Sequence, residues 1–425
     1  MKAIILGSGI TGVTSAYFLA KAGFEVEVLD RNLEAAMSCS KANGGQLSYS
    51  HVETWAESLS ILNVIKLLLK PNSFLSFRDF FNKKFYSWFW LFYLNSFAKK
   101  AQDNSEKLYK IANLSKIELE KLIKENPDLN FDYKNDGILH FYRSKKSFQK
   151  AVNLLKNHQR FGVVAKILTA QECIKREPSL IKLIDEEKLV GGIFYPQDAS
   201  GNCHDFAVNL AKICREKYNV KFHYGVEIRN ILTNHQKVTG INTGKRVFVG
   251  DKYVYALAAQ GNSLLNGIKI DTKIYPLKGY SLSMPCDAEF IAPKLALTDP
   301  ENRIVYSRLG NIFRAAGSAE ICGSSNKINK RHVTFLRKII ASSFSDFGNM
   351  NRVQDWFGFR PFRPNSLPLI CKARKYQNLY LNSGHGSLGW TLSCGSAKIL
   401  SEIILEKTND NFSFLSEEEK TIYIK

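Results

Sequence analysis

The stretch AIILGSGITGVTSAYFLAKAGFEVEVLDR, residues 3–31, has the pattern of a complete β-α-β unit. Residues 2–6 form a short apolar run, which is typical of a buried parallel strand. Apolar side chains then recur at helical spacing over residues 13–22, and residues 24–29 have the pattern of a second strand. A strand, a helix and a second strand within about 30 residues predict the first unit of a nucleotide-binding α/β domain.

The turn between the first strand and the helix reads GSGITG, residues 7–12. Glycine permits a tight turn and a close approach of the backbone to a pyrophosphate, and the helix N-terminus presents unpaired N–H groups to phosphate. Asp30 ends the second strand, at the place where a carboxylate accepts hydrogen bonds from a ribose hydroxyl. The unit therefore predicts dinucleotide binding.

Composition and charge exclude several classes of protein. The 425 residues are 45% hydrophobic and 23% charged, which excludes wholesale disorder and suggests two or three domains. The apolar run 85–94 is about half the ~20 residues that a membrane-spanning helix needs. Lysines and arginines give a net charge of +20 but are spread along the chain without a nucleic-acid-binding motif. We therefore expect no nucleic-acid partner. Attraction to an anionic membrane surface explains the positive net charge better.

Cysteines and histidines do not suggest a metal site. The eight cysteines lie far apart without a CxxC pair, and the eight histidines include no HxxxH pair. Sparse cysteines in a long chain are typical of reduced thiols in a cytosol-like compartment. We therefore expect no metal and a cytoplasmic location.

Three further segments carry residues suited to binding. The loop SKANGGQ, residues 40–46, could bring its backbone against an isoalloxazine ring or be a plain surface loop, and the sequence leaves both open. SGHGSLGW, residues 383–390, is a glycine-rich loop before a helix and predicts a second cofactor anchor, in which His385 has a structural role rather than that of a base. GFRPFRP, residues 358–364, holds two arginines suited to carboxylate capture, with a surface arginine pair as the alternative.

The longer elements are predicted from periodicity. Residues 54–125 and 145–180 read as helical, residues 221–232 as one strand, and residues 395–405 as the last helix.

Taken in order, these segments resemble the FAD-dependent D-amino acid oxidase superfamily, and within it the small subunits of bacterial D-amino acid dehydrogenases. The matching stretches also include GGIFYPQDASGNCHDFAVNLA, YPLKGYSL and NLYLNSGHGSLGWTLSCGS, so the resemblance covers nearly the whole chain. It implies an α/β fold in which a Rossmann-like FAD-binding domain carries an inserted α+β substrate domain with a mixed antiparallel sheet. The implied FAD-binding segments are 1–50, 145–265 and 350–410, the substrate or cap segments are 51–144 and 266–349, and 411–425 is a C-terminal tail.

The resemblance implies FAD as cofactor and names its binding residues. Glycines at 7, 9 and 12 would hold the pyrophosphate, Asp30 the adenosine ribose, Val226 the adenine through its backbone, and the two later loops the flavin. The cofactor-binding set is Gly7, Ser8, Gly9, Ile10, Thr11, Gly12, Asp30, Arg31, Ser40, Asn43, Gly44, Gln46, Val226, Gly384, His385, Gly386, Leu388 and Gly389.

The activity implied is oxidative deamination of a D-amino acid to a 2-oxo acid and ammonia, with electrons passed to a membrane quinone or another acceptor. Arg360 would bind the substrate carboxylate, and Tyr280 and Tyr306 would face the pocket. An aromatic cluster between residues 74 and 97, interleaved with basic residues, suits either peripheral contact with the cytoplasmic face of the inner membrane or an ordinary helical core.

Two alternatives remain open at this stage. One is a glycine or sarcosine oxidase of the same superfamily. The other is an FAD-binding subunit that has lost turnover, which the departures from the family pattern at residues 258–263, at Asn365-Ser366 and at Cys371 suggest.

Overall fold

The computed structural model describes residues 1–55, 73–286, 292–345, 352–407 and 410–415. The described helices are α1 (Ile10–Lys21), α2 (Lys83–Leu94), α3 (Ala98–Glu125), α4 (Lys145–His158), α5 (Ala170–Arg176), α6 (Ile181–Asp185), α7 (Cys203–Tyr218), α8 (Asn262–Gly267), α9 (Lys330–Ser343) and α10 (Gly389–Ile404). The described strands are β1 (Lys2–Leu6), β2 (Glu25–Leu29), β3 (Gln46–Leu47), β4 (Leu75–Phe77), β5 (Ile138–Tyr142), β6 (Lys166–Thr169), β7 (Gly191–Tyr195), β8 (Ala199–Ser200), β9 (Lys221–His223), β10 (Asn230–Asn234), β11 (Lys237–Asn242), β12 (Val247–Phe248), β13 (Lys252–Tyr255), β14 (Tyr275–Pro285), β15 (Ala296–Asp299), β16 (Ile304–Leu309), β17 (Ile312–Ile321), β18 (Gln354–Phe362), β19 (Leu369–Lys372) and β20 (Leu379–Ser383).

A six-stranded sheet in the order β19-β20-β13-β1-β2-β9 contains the predicted β-α-β unit. All neighbours pair in parallel except β19, which is antiparallel to β20. Alternate residues of β1 enter different cores, because successive side chains of a strand point to opposite faces. Ala3 and Ile5 pack with α1, α7 and α10, whereas Ile4 and Leu6 pack against the three-stranded sheet β10-β11-β12. The sheet is thus covered on both faces, as parallel sheets require.

The larger sheet has nine strands and mixed pairing. Its order is β18-β14-β17-β16-β15-β5-β7-β6, and β4 also pairs with β17. The strands from β14 to β18 are antiparallel to one another, but β15 runs parallel to β5. One face packs on α5, α6 and α9 through a core that includes Leu139, Leu282 and Leu336. The α/β fold with a second, mixed antiparallel sheet is the one that the sequence predicts.

Several predicted elements differ from those observed. The helical segment 145–180 is interrupted by β6, which pairs with β7, and the segment 54–125 contains β4 at 75–77 while its residues 56–72 lie outside the described part. Pairing with a distant strand decides both cases, and local periodicity does not report it. The single strand predicted at 221–232 is two strands, β9 and β10. The last helix begins at Gly389 rather than Gly395, because close packing against α3 stabilises a turn rich in glycine and serine.

The strand pairing also bears on the predicted domain boundaries. Residues 145–200 and 354–362 were assigned by resemblance to the FAD-binding segments, but β6, β7 and β18 pair within the nine-stranded sheet. In the described part of the chain, the strands of the six-stranded sheet lie within residues 1–29, 221–255 and 369–383. We therefore propose that the substrate unit includes both of these segments.

Candidate active site

A cavity of about 580 Å³ lies between the two sheets. On one side it is lined by the loops that follow β1, β2, β13 and β20, and on the other by the face of the nine-stranded sheet. The carboxyl ends of parallel strands are where open α/β sheets bind ligands. Of the eighteen residues assigned to the cofactor, all but Ser8 and Gly12 line this cavity.

The two glycines that bracket the first turn are required by close contacts. A Cβ on Gly12 would lie 1.9 Å from the carbonyl oxygen of Gly7, and Gly7 has φ +101°. Gly9 is the N-cap of α1 and lines the cavity together with Ile10 and Thr11, so the N-terminus of the helix borders the cavity. This cradle admits a phosphate against the backbone and would be filled by any larger side chain.

Asp30 is fixed by hydrogen bonds before any ligand enters. Its Oδ2 accepts from the backbone N–H of Ser8 at 2.7 Å and from the Ser8 hydroxyl at 2.8 Å, and its Oδ1 accepts from the N–H of Asn32 at 2.9 Å. Ser8 therefore contributes by orienting the carboxylate. Val226 donates its N–H to the Asp30 carbonyl oxygen at 2.9 Å, and Arg31 donates to Gln260 at 2.6 Å. These contacts place Asp30 and Val226, the residues predicted to bind the ribose and the adenine, at one end of the cavity.

The loop at residues 40–46 lies on the larger sheet and is not a free surface loop. Ser281 donates its hydroxyl to the Ala42 carbonyl oxygen at 2.7 Å, and Ser307 donates to the Gly44 carbonyl oxygen at 2.8 Å. A Cβ on Gly44 would lie 2.4 Å from Val305. The Ser40 hydroxyl oxygen accepts from the N–H of Ile10 at 3.2 Å and so ties the loop to the start of α1. The loop can thus present its backbone to a flat ring in the cavity.

The second glycine-rich loop closes the opposite wall. Gly384 and Gly386 have φ +81° and +57°. Ser396 donates its hydroxyl to the Leu392 carbonyl oxygen, so the 2.8 Å contact between Ser396 and Nε2 of His385 is a donation from the ring. Burial lowers the pKa of His385 to about 3. The imidazole is therefore neutral and serves to hold the loop.

Arg360 extends from β18 across the floor of the cavity. A Cβ on Gly279 would lie 2.5 Å from its Nη2, so glycine is needed for the guanidinium to lie flat on β14. Nη1 donates to the carbonyl oxygen of Ser318 on β17 at 3.2 Å. Among the described residues no carboxylate pairs with Arg360. A guanidinium held in a cavity without an acidic partner is a binding site for a carboxylate.

A chain of buried hydrogen bonds behind the sheet positions Ser318, whose carbonyl oxygen accepts the hydrogen bond from Arg360. Ser318 has φ +60°, and its hydroxyl donates to the Phe74 carbonyl oxygen at 2.8 Å. That proton is then used, so Nδ1 of His332 must donate to the Ser318 hydroxyl oxygen, and Nε2 accepts from Ser76 at 2.7 Å. The chain fixes both the carbonyl that orients Arg360 and the cavity-lining Phe74.

The two tyrosines expected in the pocket do not present their rings to it. Tyr306 packs between Phe313 and Phe344 in the core, on the face of β16 opposite to Val305 and Ser307. Tyr280 borders the cavity, but its ring stacks on His332 at 4.8 Å and its hydroxyl donates to Glu320. Side chains alternate along a strand, and both residues have the parity of the core face. Neither hydroxyl is placed to contact a substrate.

The polar cavity residues that the sequence analysis missed include His51, Glu53, His140 and Arg303. They come from three separate segments, the loop before residue 55, β5 and the residue before β16. No spacing pattern links them, because only the sheet order brings them together.

Asp198 lies next to this region and gives a pH-dependent expectation. Burial raises its pKa to about 7, although the N–H of Ser50 donates to Oδ1 at 2.8 Å and opposes that shift. The Asp198 carboxyl binds its proton more tightly in the folded state than in the unfolded state, where its pKa is about 3.8. It therefore stabilises the folded state fully below about pH 3.8, and this stabilisation is lost as the pH rises towards 7. We expect the Tm of Asp198→Asn, relative to that of the natural protein, to rise by about 5 °C between pH 5 and pH 8. Thermal unfolding at both values measures it, and a constant difference would contradict it.

Comparison with known proteins identifies the family. The model of the FAD dependent oxidoreductases (DAO) matches residues 2–403. A D-amino acid dehydrogenase of Neisseria meningitidis is 35% identical over 410 residues, which cover 96% of this chain and 97% of that protein. A D-amino acid dehydrogenase of Paramagnetospirillum magneticum is 36% identical over 405 residues, which cover 95% of each.

Solved structures share the fold. Glycine oxidase from Bacillus cereus superposes with a TM-score of 0.74 at 17% identity and covers 100% of this chain and 98% of its own. L-proline dehydrogenase from P. horikoshii has a TM-score of 0.71 at 16% identity, with 98% of both chains covered. The fold, the glycine cradle and the family model agree, and the chain belongs to the family of FAD dependent oxidoreductases.

Proposed function

We propose that the chain is an FAD-dependent D-amino acid dehydrogenase that converts a D-amino acid to its 2-oxo acid and ammonia. The observation that carries this proposal is Arg360, a guanidinium without an acidic partner among the described residues, in the same cavity as the dinucleotide cradle. The names of the relatives that match at 35% and 36% identity over almost the whole chain support the choice of a D-amino acid.

The residues of the cavity fit FAD. Gly7 and Gly12 allow the tight first turn, Gly9 leaves the cavity wall beside that turn open for a pyrophosphate, and the Asp30 carboxylate is held at the proposed ribose position. The loops at 42–46 and 384–389 would line the ring system from two sides. Bound FAD supplies the two-electron acceptor that takes the hydride from the substrate α-carbon.

The chain itself binds and orients the substrate. Arg360 would hold the carboxylate with two parallel N–H donors, and its contact with the Ser318 carbonyl oxygen fixes the plane of the guanidinium. His385 is neutral and already donates to Ser396, so we assign it no proton transfer from the substrate. We expect the substrate to bind with a neutral amine. Positioning of its α-carbon, rather than a base in the loop at residues 383–389, would then promote the oxidation.

Product analysis tests this function. The purified protein loaded with FAD and given an artificial electron acceptor should form 2-oxo acid and ammonia in equal amounts from D-alanine and none from L-alanine. Oxygen consumption with glycine or sarcosine, but without D-alanine turnover, would favour an oxidase instead. Bound FAD without turnover of any amine would indicate a non-catalytic subunit.

The electron acceptor is proposed to be a membrane quinone, reached through peripheral contact. None of the described helices is long and apolar enough to cross a bilayer. Helix α2 instead carries an exposed aromatic stripe, with Tyr86 51%, Trp90 58% and Phe97, just beyond its end, 56% exposed. Lys83, Lys84, Lys99 and Lys100 are exposed at its two ends. Aromatic side chains beside lysines suit the interface of an anionic bilayer.

Vesicle binding should depend on this stripe. We expect the protein to bind vesicles of anionic phospholipid and to dissociate at about 0.5 M NaCl, where the Debye length is only a few ångströms. Exchanging both Tyr86 and Trp90 for alanine should weaken binding about tenfold, as measured by co-sedimentation. Val249→Ala, a 60% exposed residue elsewhere on the surface, is the matched control. Equal binding of all three proteins, or none at low salt, would contradict the proposal.

A further inference from the structure

The end of the cavity beyond Arg360 has a polar lining that the proposed reaction does not use. It is formed by His51, Glu53, His140 and Arg303. A cavity that needed only to exclude water around an aliphatic side chain would be lined by apolar groups, because a buried polar group without a partner is costly. Glu53 and His140 carry buried polar atoms without a hydrogen-bond partner in the described part of the chain, and these atoms indicate a ligand group that hydrogen-bonds to them.

Glu53 and His51 form a pair with unused acceptor capacity. Nδ1 of His51 lies 2.7 Å from Oε1 of Glu53, and the Glu53 side chain is 7% exposed. Burial opposes the charge on Glu53, but the imidazole outweighs it and lowers the pKa of the carboxyl to about 2. Its second oxygen, Oε2, is buried without a hydrogen-bond partner in the described part of the chain. The pair thus offers a carboxylate oxygen that still needs a donor.

His140 has both a donor and an acceptor without partners. The residue is 1% exposed, its ring lies 4.7 Å from that of His51, and neither nitrogen is hydrogen-bonded to any described residue. Burial lowers its pKa well below the usual value, so the ring is neutral and carries one N–H and one lone pair. The matching group must both donate and accept.

The sheet places this polar end within reach of a substrate held by Arg360. The guanidinium lies over β14 and β17, and Arg303 directly precedes β16, the next strand. A Cβ on Gly317 would lie 2.7 Å from the Arg303 carbonyl oxygen, so the Arg303 backbone lies directly beside Gly317 of β17. His140 lies on β5, three strand spacings or about 14 Å from β17. An extended side chain of glutamine length spans most of that distance once a hydrogen bond is added at each end.

We propose that this end of the cavity selects D-amino acids whose side chains end in a carboxamide, such as D-glutamine. The amide N–H₂ group would donate to Oε2 of Glu53, and the amide oxygen would accept from the N–H of His140. A side-chain carboxylate would lie beside the charged Glu53, and an apolar side chain would leave Oε2 and His140 without partners, so both of these types are disfavoured. This inference rests on the proposed function, because Arg360 must hold the substrate carboxylate.

A panel of near-isosteric substrates tests the proposal with the FAD-loaded full chain. D-Glutamine, D-glutamate and D-methionine differ mainly in the end of the side chain. We expect kcat/KM for D-glutamine to exceed that of each of the other two at least tenfold, since a site with buried polar groups rejects a substrate that leaves them unpaired or repels them. Equal or better turnover of D-methionine or D-glutamate would overturn the proposal.

Glu53→Gln gives a readout that a structural role would not change. The new amide keeps an oxygen for His51 but presents N–H₂ where Oε2 was, so the ratio of kcat/KM for D-glutamate to that for D-glutamine should rise at least tenfold. His235→Gln, on the turn between β10 and β11, is the control and should keep the original ratio. An unchanged ratio in Glu53→Gln would overturn the inference alone. If no D-amino acid, including D-alanine, were turned over, the proposed function itself would fail.

Discussion

Arg360→Ala should raise the KM for D-alanine about 100-fold or more and leave the FAD content of the purified protein unchanged. The guanidinium carries no acidic partner among the described residues, so an incoming carboxylate supplies its counter-charge. Removing one member of a buried ion pair costs about 3–5 kcal/mol, which corresponds to a hundredfold or greater loss of affinity. Steady-state kinetics with an artificial acceptor measure the change.

Two further variants test whether the effect depends on the geometry of the guanidinium and not only on its charge. Arg360→Lys keeps the charge but loses the planar fork, so we expect an intermediate KM. Gly279→Ala keeps Arg360 itself but places a Cβ 2.5 Å from Nη2, so it should also raise KM without removing FAD. An unchanged KM in Arg360→Ala would remove the assigned role of Arg360.

Gly12→Ala should yield protein without bound FAD and with a Tm lower by about 5 °C. The added Cβ would lie 1.9 Å from the Gly7 carbonyl oxygen, so the backbone of the first turn must move away from its position. Overpacking of this kind costs about 1–3 kcal/mol or more, and here the displaced atoms belong to the pyrophosphate cradle. The absorbance ratio of flavin to protein and thermal unfolding measure the two effects.

Gly267→Ala is the matched control, because Gly267 also lies in a helix but has no atom within 4 Å of an added Cβ. It should retain FAD and the original Tm. Retention of FAD by Gly12→Ala would contradict the assignment of the first turn to the pyrophosphate.

Local patterns predicted the turns and loops that line the cavity, because these depend on local geometry. The turn at residues 7–12, Asp30 and the loop at 383–389 each follow a strand, and a strand followed by a glycine-rich turn can be recognised within a few residues. Arg360 was predicted through resemblance to the family. In the structure it lies on a strand of the larger sheet, with the guanidinium over Gly279.

Features that depend on which strands are neighbours were not predictable in this way. The side-chain parity of Tyr280 and Tyr306 depends on which face of the nine-stranded sheet meets the cofactor loop, and the strand pattern is compatible with either face. Strand β6 was read as helix because its partner β7 lies more than 20 residues away. His51 and His140 meet only through the position of β5 in the sheet, so no sequence motif contains them.

Oxidation of a D-amino acid by the bound flavin is tested by an anaerobic visible absorption spectrum of the FAD-loaded protein before and after addition of D-alanine, with L-alanine as the matched addition. We expect the visible absorbance of oxidised flavin to be lost with the D isomer and kept with the L isomer. A flavin that stays oxidised with every D-amino acid tested, or a protein that cannot bind FAD at all, would contradict it.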